Sequence, residues 1–154
     1  MDLVNSVEIK TSPKKVWDIL IDPKKIPLWV KEKIEFIPLD KPPFRKTFRF
    51  KVNIYKPMIT LKYRGKILEF EQYKMMEVLL QGGVLKDSDM TIQFRLNDLN
   101  KKTKFDYEIK MEEKGLMSLV TPLSNFVGNM EADKYFINLK ELAEKAEVDF
   151  KYLR

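Results

Sequence analysis

The chain has 154 residues, 44% hydrophobic and 34% charged, with 29 Lys and Arg against 23 Asp and Glu. That is enough chain to bury its own core as one domain spanning residues 1–154. It contains no Cys and no His, which excludes disulfides, thiolate nucleophiles, Cys-based metal clusters and His-dependent triads.

Taken in chain order, Val7 and Ile9 alternate with Glu8 and Lys10, the period of a half-buried strand. Ser12 offers an N-cap hydroxyl, and Pro13 sits where a helix tolerates a missing N–H. Val16, Trp17 and Leu20 then follow at helical spacing until Asp22-Pro23 breaks the helix, and a second short helix carries Trp29. Both tryptophans read as packing within this elbow.

Alternation governs the next eighty residues. Ile34 and Phe36 form a short strand ending at Pro38, and Phe48, Phe50, Val52 and Ile54 alternate with Arg49, Lys51 and Asn53. After Pro57, Ile59, Leu61 and Tyr63 continue the pattern. Gly65 marks a bulge beyond which the parity slips to Leu68 and Phe70. Met76, Val78 and Leu80 lead to Gly82-Gly83, with Met75 and Leu79 offering the opposite parity. Met90, Ile92, Phe94 and Leu96, a turn at Asn97–Asn100, and Phe105, Tyr107, Ile109 and Met111 complete an antiparallel meander. Thr121-Pro122 opens a helix running to about Ala146, with Leu123, Phe126, Val127, Met130, Phe136, Ile137, Leu139, Leu142 and Ala143 as its apolar stripe.

The expected fold is α+β: a curved sheet of about seven antiparallel strands, order β-α-α-β6-α, wrapped around a long C-terminal helix. One helix does not fill a sheet that curls around it, so a cavity is expected between them. Phe48, Phe50, Tyr63, Met76, Phe94 and Tyr107 are expected to point into it from the sheet. Phe126, Val127 and Met130 are expected to face it from the charge-free segment Gly115–Met130. Ten Phe, six Tyr and eight Met supply adaptable apolar lining for such a space. Each inward Tyr, including Tyr135, needs a partner for its hydroxyl.

The net charge of +6 is spread over lysines beside acids, as in Lys31-Glu32-Lys33 and Glu35. It reads as a solvated face, so no nucleic-acid partner is expected. The Lys/Glu-rich composition also fits a hyperthermophile. Asp87 with Asp89 and Glu112 with Glu113 are ordinary strand-end acids, and no metal or cofactor is expected. No apolar run of about 18 residues and no secretory signal occur, so the expectation is a cytoplasmic protein without stable membrane insertion.

The stretch Val7–Val30 and the element order resemble the START/Bet v 1-like (SRPBCC, helix-grip) superfamily over essentially the whole chain. Within it, Gly65–Glu71, Tyr73–Gly82, Ser88–Leu96 and Thr103–Ile109 are most similar to the CoxG-like branch. The resemblance implies binding or transport of a hydrophobic small molecule (a lipid, isoprenoid or aromatic) between sheet and helix. Two alternatives come with it: a polyketide cyclase-like enzyme, and a CoxG-like accessory protein docking on a partner enzyme. The inward parity is almost wholly apolar, so no catalytic residue carries over.

Overall fold

A computed structural model describes residues 2–83, 89–112 and 132–152. Its elements are β1 (Asp2–Ile9), α1 (Pro13–Leu20), α2 (Ile26–Val30), β2 (Lys33–Pro38), β3 (Arg49–Tyr55), β4 (Thr60–Glu71), β5 (Met75–Gly82), β6 (Asp89–Asp98), β7 (Thr103–Glu112) and α3 (Ala132–Tyr152). The seven strands form one curved antiparallel sheet in the order β1-β7-β6-β5-β4-β3-β2, so β1 closes onto the last strand of the meander.

Local chemistry explains the start. The Ser12 hydroxyl accepts from the Lys15 N–H at 3.4 Å, Pro13 occupies the first turn, and α1 ends shortly before Pro23. The helix buries Val16, Trp17, Ile19 and Leu20 against α3 and the sheet, and Trp17 meets Phe70 edge-on at 5.5 Å. Trp29 stacks on Phe136 of α3 at 5.9 Å, while the Asn138 amide donates to the Trp29 carbonyl at 3.0 Å. The elbow is therefore tied to the long helix by packing and by one buried hydrogen bond.

Four local expectations need correction. First, β1 begins at Asp2, ahead of Val7. Its inward row is Leu3, Asn5, Val7 and Ile9, opposite Ile109, Tyr107, Phe105 and Thr103, and the polar Asn5 interrupts the apolar period. Second, the bulge lies at Leu68, where the β4–β5 register shifts between Ile67 and Glu69. The parity slip that brings Phe70 inward is present, but Gly65 pairs regularly with Phe50 and Leu80. Third, α3 continues past Ala146 to Tyr152; its expected start near Pro122 lies outside the described residues. Fourth, Ile137 is 48% exposed, because the buried stripe runs through Phe136, Leu139 and Ala143, about one turn apart. Ile59 is likewise exposed, at the end of the tight Lys56–Ile59 turn.

The core centres on Phe136. Its ring lies 4.2 Å from Tyr107, 5.3 Å from Phe105 and 5.5 Å from Phe94. A second aromatic chain, Phe36–Phe50 at 4.9 Å and Phe44–Phe48 at 4.8 Å, fills the β2–β3 side.

Candidate functional site

Phe48, Phe50, Met76, Phe94 and Tyr107 are buried on the inner face of the sheet, and Tyr63 is half-buried there. Pairing settles the parity of β5: Met76 lies opposite both Phe70 and Phe94. Phe126, Val127 and Met130, like Asp87 and Glu113, lie outside the described residues. Among the described residues no group of three or more carboxylates could hold a metal ion, and no helix is long and apolar enough to cross a membrane.

Burial is uneven along the inner face. Phe48, Ile67 and Phe105 are closed off from solvent, as is Leu139 of α3 above them. Ile54, Tyr63, Leu80, Met90 and Ile92 are only half-buried. These five lie toward one end of the sheet, where β3 turns into β4 at Lys56–Ile59 and β5 ends at Gly82. Gly83 suits this end: a Cβ there would fall 2.8 Å from the Tyr63 ring, so its absence lets the phenol lie against the backbone.

A polar cluster borders the same end. The Lys56 ammonium contacts Glu32 Oε1 at 2.7 Å, and the Tyr135 hydroxyl donates to Glu32 Oε2 at 2.8 Å. The Lys56 and Glu32 side chains are 17% and 20% exposed, sheltered for a surface-hairpin lysine and a loop glutamate. Lys56 also acts on Tyr63: burial pushes that phenol's pKa up, and the nearby ammonium pulls it partly back. Tyr63 makes no hydrogen bond among the described residues, unlike Tyr135 and Tyr107. No sequence pattern hints at this grouping. Glu32 reads as one more solvated charge beside Lys31 and Lys33, and only the fold brings it to Lys56.

Tyr107 is satisfied differently. Its hydroxyl donates to Asp133 Oδ1 in the first turn of α3, an oxygen that also accepts from the Asn5 amide at 2.9 Å. Burial first, and then the Asp133 carboxylate, hold the phenol's pKa well above its ordinary 10.0. The unfolded phenol ionises near 10.0 while the folded one keeps its proton. Stability from this group is therefore complete below about pH 10 and falls above it, by up to about 1.4 kcal/mol per pH unit. Tyr107→Phe should flatten the fall of stability between about pH 10 and 11 relative to wild type. Parallel curves in guanidinium unfolding across that range would refute the assignment.

Trp17 and Trp29 each bury an indole N–H without a hydrogen-bond partner among the described residues. A cleft of about 750 Å³ also crosses the outer face of the sheet, where Lys51, Asn53, Lys62, Arg64 and Gln81 line it. It is an open, basic surface on the side of the sheet away from α3.

No protein-family model matches the sequence, and no curated protein matches it. Solved structures do. TTHA0849 from Thermus thermophilus superposes with a TM-score of 0.73 at 12% identity, covering 95% of this chain and 99% of that one. Protein CV1439 from Chromobacterium violaceum gives 0.72 at 14% identity over 93% and 96%. Ara h 8.0201 gives 0.71 at 12% identity over 93% and 97%. Identities this low speak for fold alone, and that fold, a curved antiparallel sheet with a C-terminal helix, is the Bet v 1-like helix grip.

Proposed function

We propose that the protein binds and carries a hydrophobic small molecule (a lipid, isoprenoid or aromatic) between the inner face of the sheet and the C-terminal helix. The observation that carries this reading is the half-buried row Ile54, Tyr63, Leu80, Met90 and Ile92, apolar side chains facing inward without full burial. The buried Phe48, Phe50, Met76, Phe94 and Tyr107 form the floor beneath the ligand, and Phe126, Val127 and Met130 belong to its lining on the sequence pattern. About 400 Å² of apolar ligand surface removed from water is worth roughly 10 kcal/mol. Association takes about 4 kcal/mol or more of that, leaving a Kd in the tens of micromolar.

Titration with Nile red tests the reading. Wild type should bind saturably, and Leu80→Arg should lose at least about tenfold in affinity while keeping its circular dichroism, because a charge in that row costs more than one lost apolar contact. Equal, negligible binding by both would mean that the interior is closed core, and the carrier reading would fall.

A cyclase-like enzyme is the second reading, favoured by one observation: Glu32, Lys56, Tyr63 and Tyr135 put ionisable groups together at the end of an apolar space. Turnover of an offered polyketide, lost in Lys56→Met, would replace the carrier reading with this one. The finer likeness to CoxG-like proteins, and docking on a partner enzyme, rest on the strand pattern alone.

A further inference from the structure

The tip of the β3–β4 hairpin is apolar where turns are usually polar. The Lys56 N–H donates to the Ile59 carbonyl at 2.9 Å and the Ile59 N–H to the Lys56 carbonyl at 3.3 Å, which closes a two-residue loop of Pro57 and Met58. Such loops ordinarily take Asn, Asp or Gly. Pro57 suits the first corner of a turn, but nothing in the backbone calls for methionine after it. Met58 is 95% exposed, and exposed Tyr55 and Ile59 flank it. Single apolar side chains at a surface are ordinary; three together on a hydrogen-bonded tip form a small apolar prong.

The strands behind the prong are basic. Lys33, Lys51, Lys62 and Arg64 are exposed on the outer face of β2–β4, and none makes an ion pair among the described residues. Lys51 lies directly opposite Arg64, a like-charge pair that costs a sheet stability. Carboxylates around this face are fewer: Asp40 pairs with Arg49, while Glu35 and Asp89 accept from the Asn53 and Gln81 amides. We propose that the hairpin docks the protein peripherally on an anionic lipid bilayer, tip first and outer face down. Met58 enters the boundary between headgroups and acyl chains, Tyr55 sits at headgroup level, and the cations face lipid phosphates. Charge alone would also fit a nucleic acid, but a phosphate backbone gives Met58 nothing apolar to enter. The prong belongs to the end of the sheet where the half-buried row lies, so a docked protein holds that end at the bilayer. Docking itself does not depend on what the interior holds.

Flotation with vesicles of phosphatidylcholine, alone or with about 30% phosphatidylglycerol, provides the test. Wild type should bind the anionic vesicles at least about tenfold more tightly than the neutral ones, and the difference should shrink at about 1 M salt. Each basic residue near such a surface is worth about fivefold, so the double variant Lys51→Glu, Lys62→Glu should lose at least about tenfold. Met58→Asp should lose about tenfold through the tip alone. In Met58→Trp the new indole is exposed, and its fluorescence should shift to the blue on anionic vesicles. These positions are all on the surface, so circular dichroism and Nile red binding should match wild type, which reads docking separately from the carrier reading. No binding of anionic vesicles, or binding unchanged in either Met58→Asp or the double variant, overturns the proposal. Salt-sensitive binding of an oligonucleotide without vesicle binding, lost in the double variant and kept in Met58→Asp, overturns it in favour of a nucleic-acid surface.

Discussion

Phe136→Ala is expected to destabilise the protein by about 3–5 kcal/mol, the range for removing a buried aromatic ring. The upper part of that range applies here. The ring is 4% exposed and touches Trp29, Phe94, Phe105 and Tyr107, at centroid distances from 4.2 to 5.9 Å. Aromatic pairs of this kind add about 0.5–1.5 kcal/mol each beyond their area, and the four stiff rings around it collapse poorly into the hole. Phe136 also joins its own helix, α3, to the α2 elbow and to strands β6 and β7. Total stabilities of single domains run to about 5–15 kcal/mol, so the variant should sit near the edge of folding, with Tm lowered by about 10–15 °C. Guanidinium unfolding of wild type, Phe136→Ala and Phe136→Leu provides the measurement. A loss below about 1.5 kcal/mol for the alanine variant would mean that α3 is not seated on the sheet through this ring.

Much of this arrangement is legible in the residues. Alternation over positions 48–111 dictates the strands, and short polar turns force neighbours to pair antiparallel. The Ser12-Pro13 start and the Asp22-Pro23 break define the elbow. Legibility fails where a polar residue has a structural role. Asn5 hides the first half of β1 because its amide serves Asp133, and Asn138 is buried because it donates to the Trp29 carbonyl. Periodicity sorts residues by polarity and misses a polar side chain held in place by a specific hydrogen bond. Glu32 and Lys56 show the same limit at the site: 24 positions separate them, and each reads as solvated until the β3–β4 hairpin meets the end of α2. Their meeting is a tertiary fact, with no local pattern to announce it.

Gly65 was legible as a special position but not as to its kind. A glycine inside a strand signals either a bulge or a close approach, and at Gly65 it is the approach. Gly65 lies directly opposite Phe50, and three atoms of the Phe50 ring occupy the space that a Cβ would need. On strand propensity alone, alanine in place of glycine would gain about 0.5–1 kcal/mol. Here the ring cannot retreat, because Phe36 stacks on it at 4.9 Å within the buried β2–β3 cluster. Gly65→Ala should therefore cost about 1–3 kcal/mol through overpacking, and Gly65→Val more. The sign depends on the ring. In a Phe50→Leu background, where the smaller side chain can step aside, the same glycine change should cost less than about 1 kcal/mol. A double-mutant cycle read by urea unfolding measures that coupling. If the two changes simply add, the Phe50 ring does not occupy the glycine's missing side-chain volume, and the packing of this end of the inner face is wrongly described.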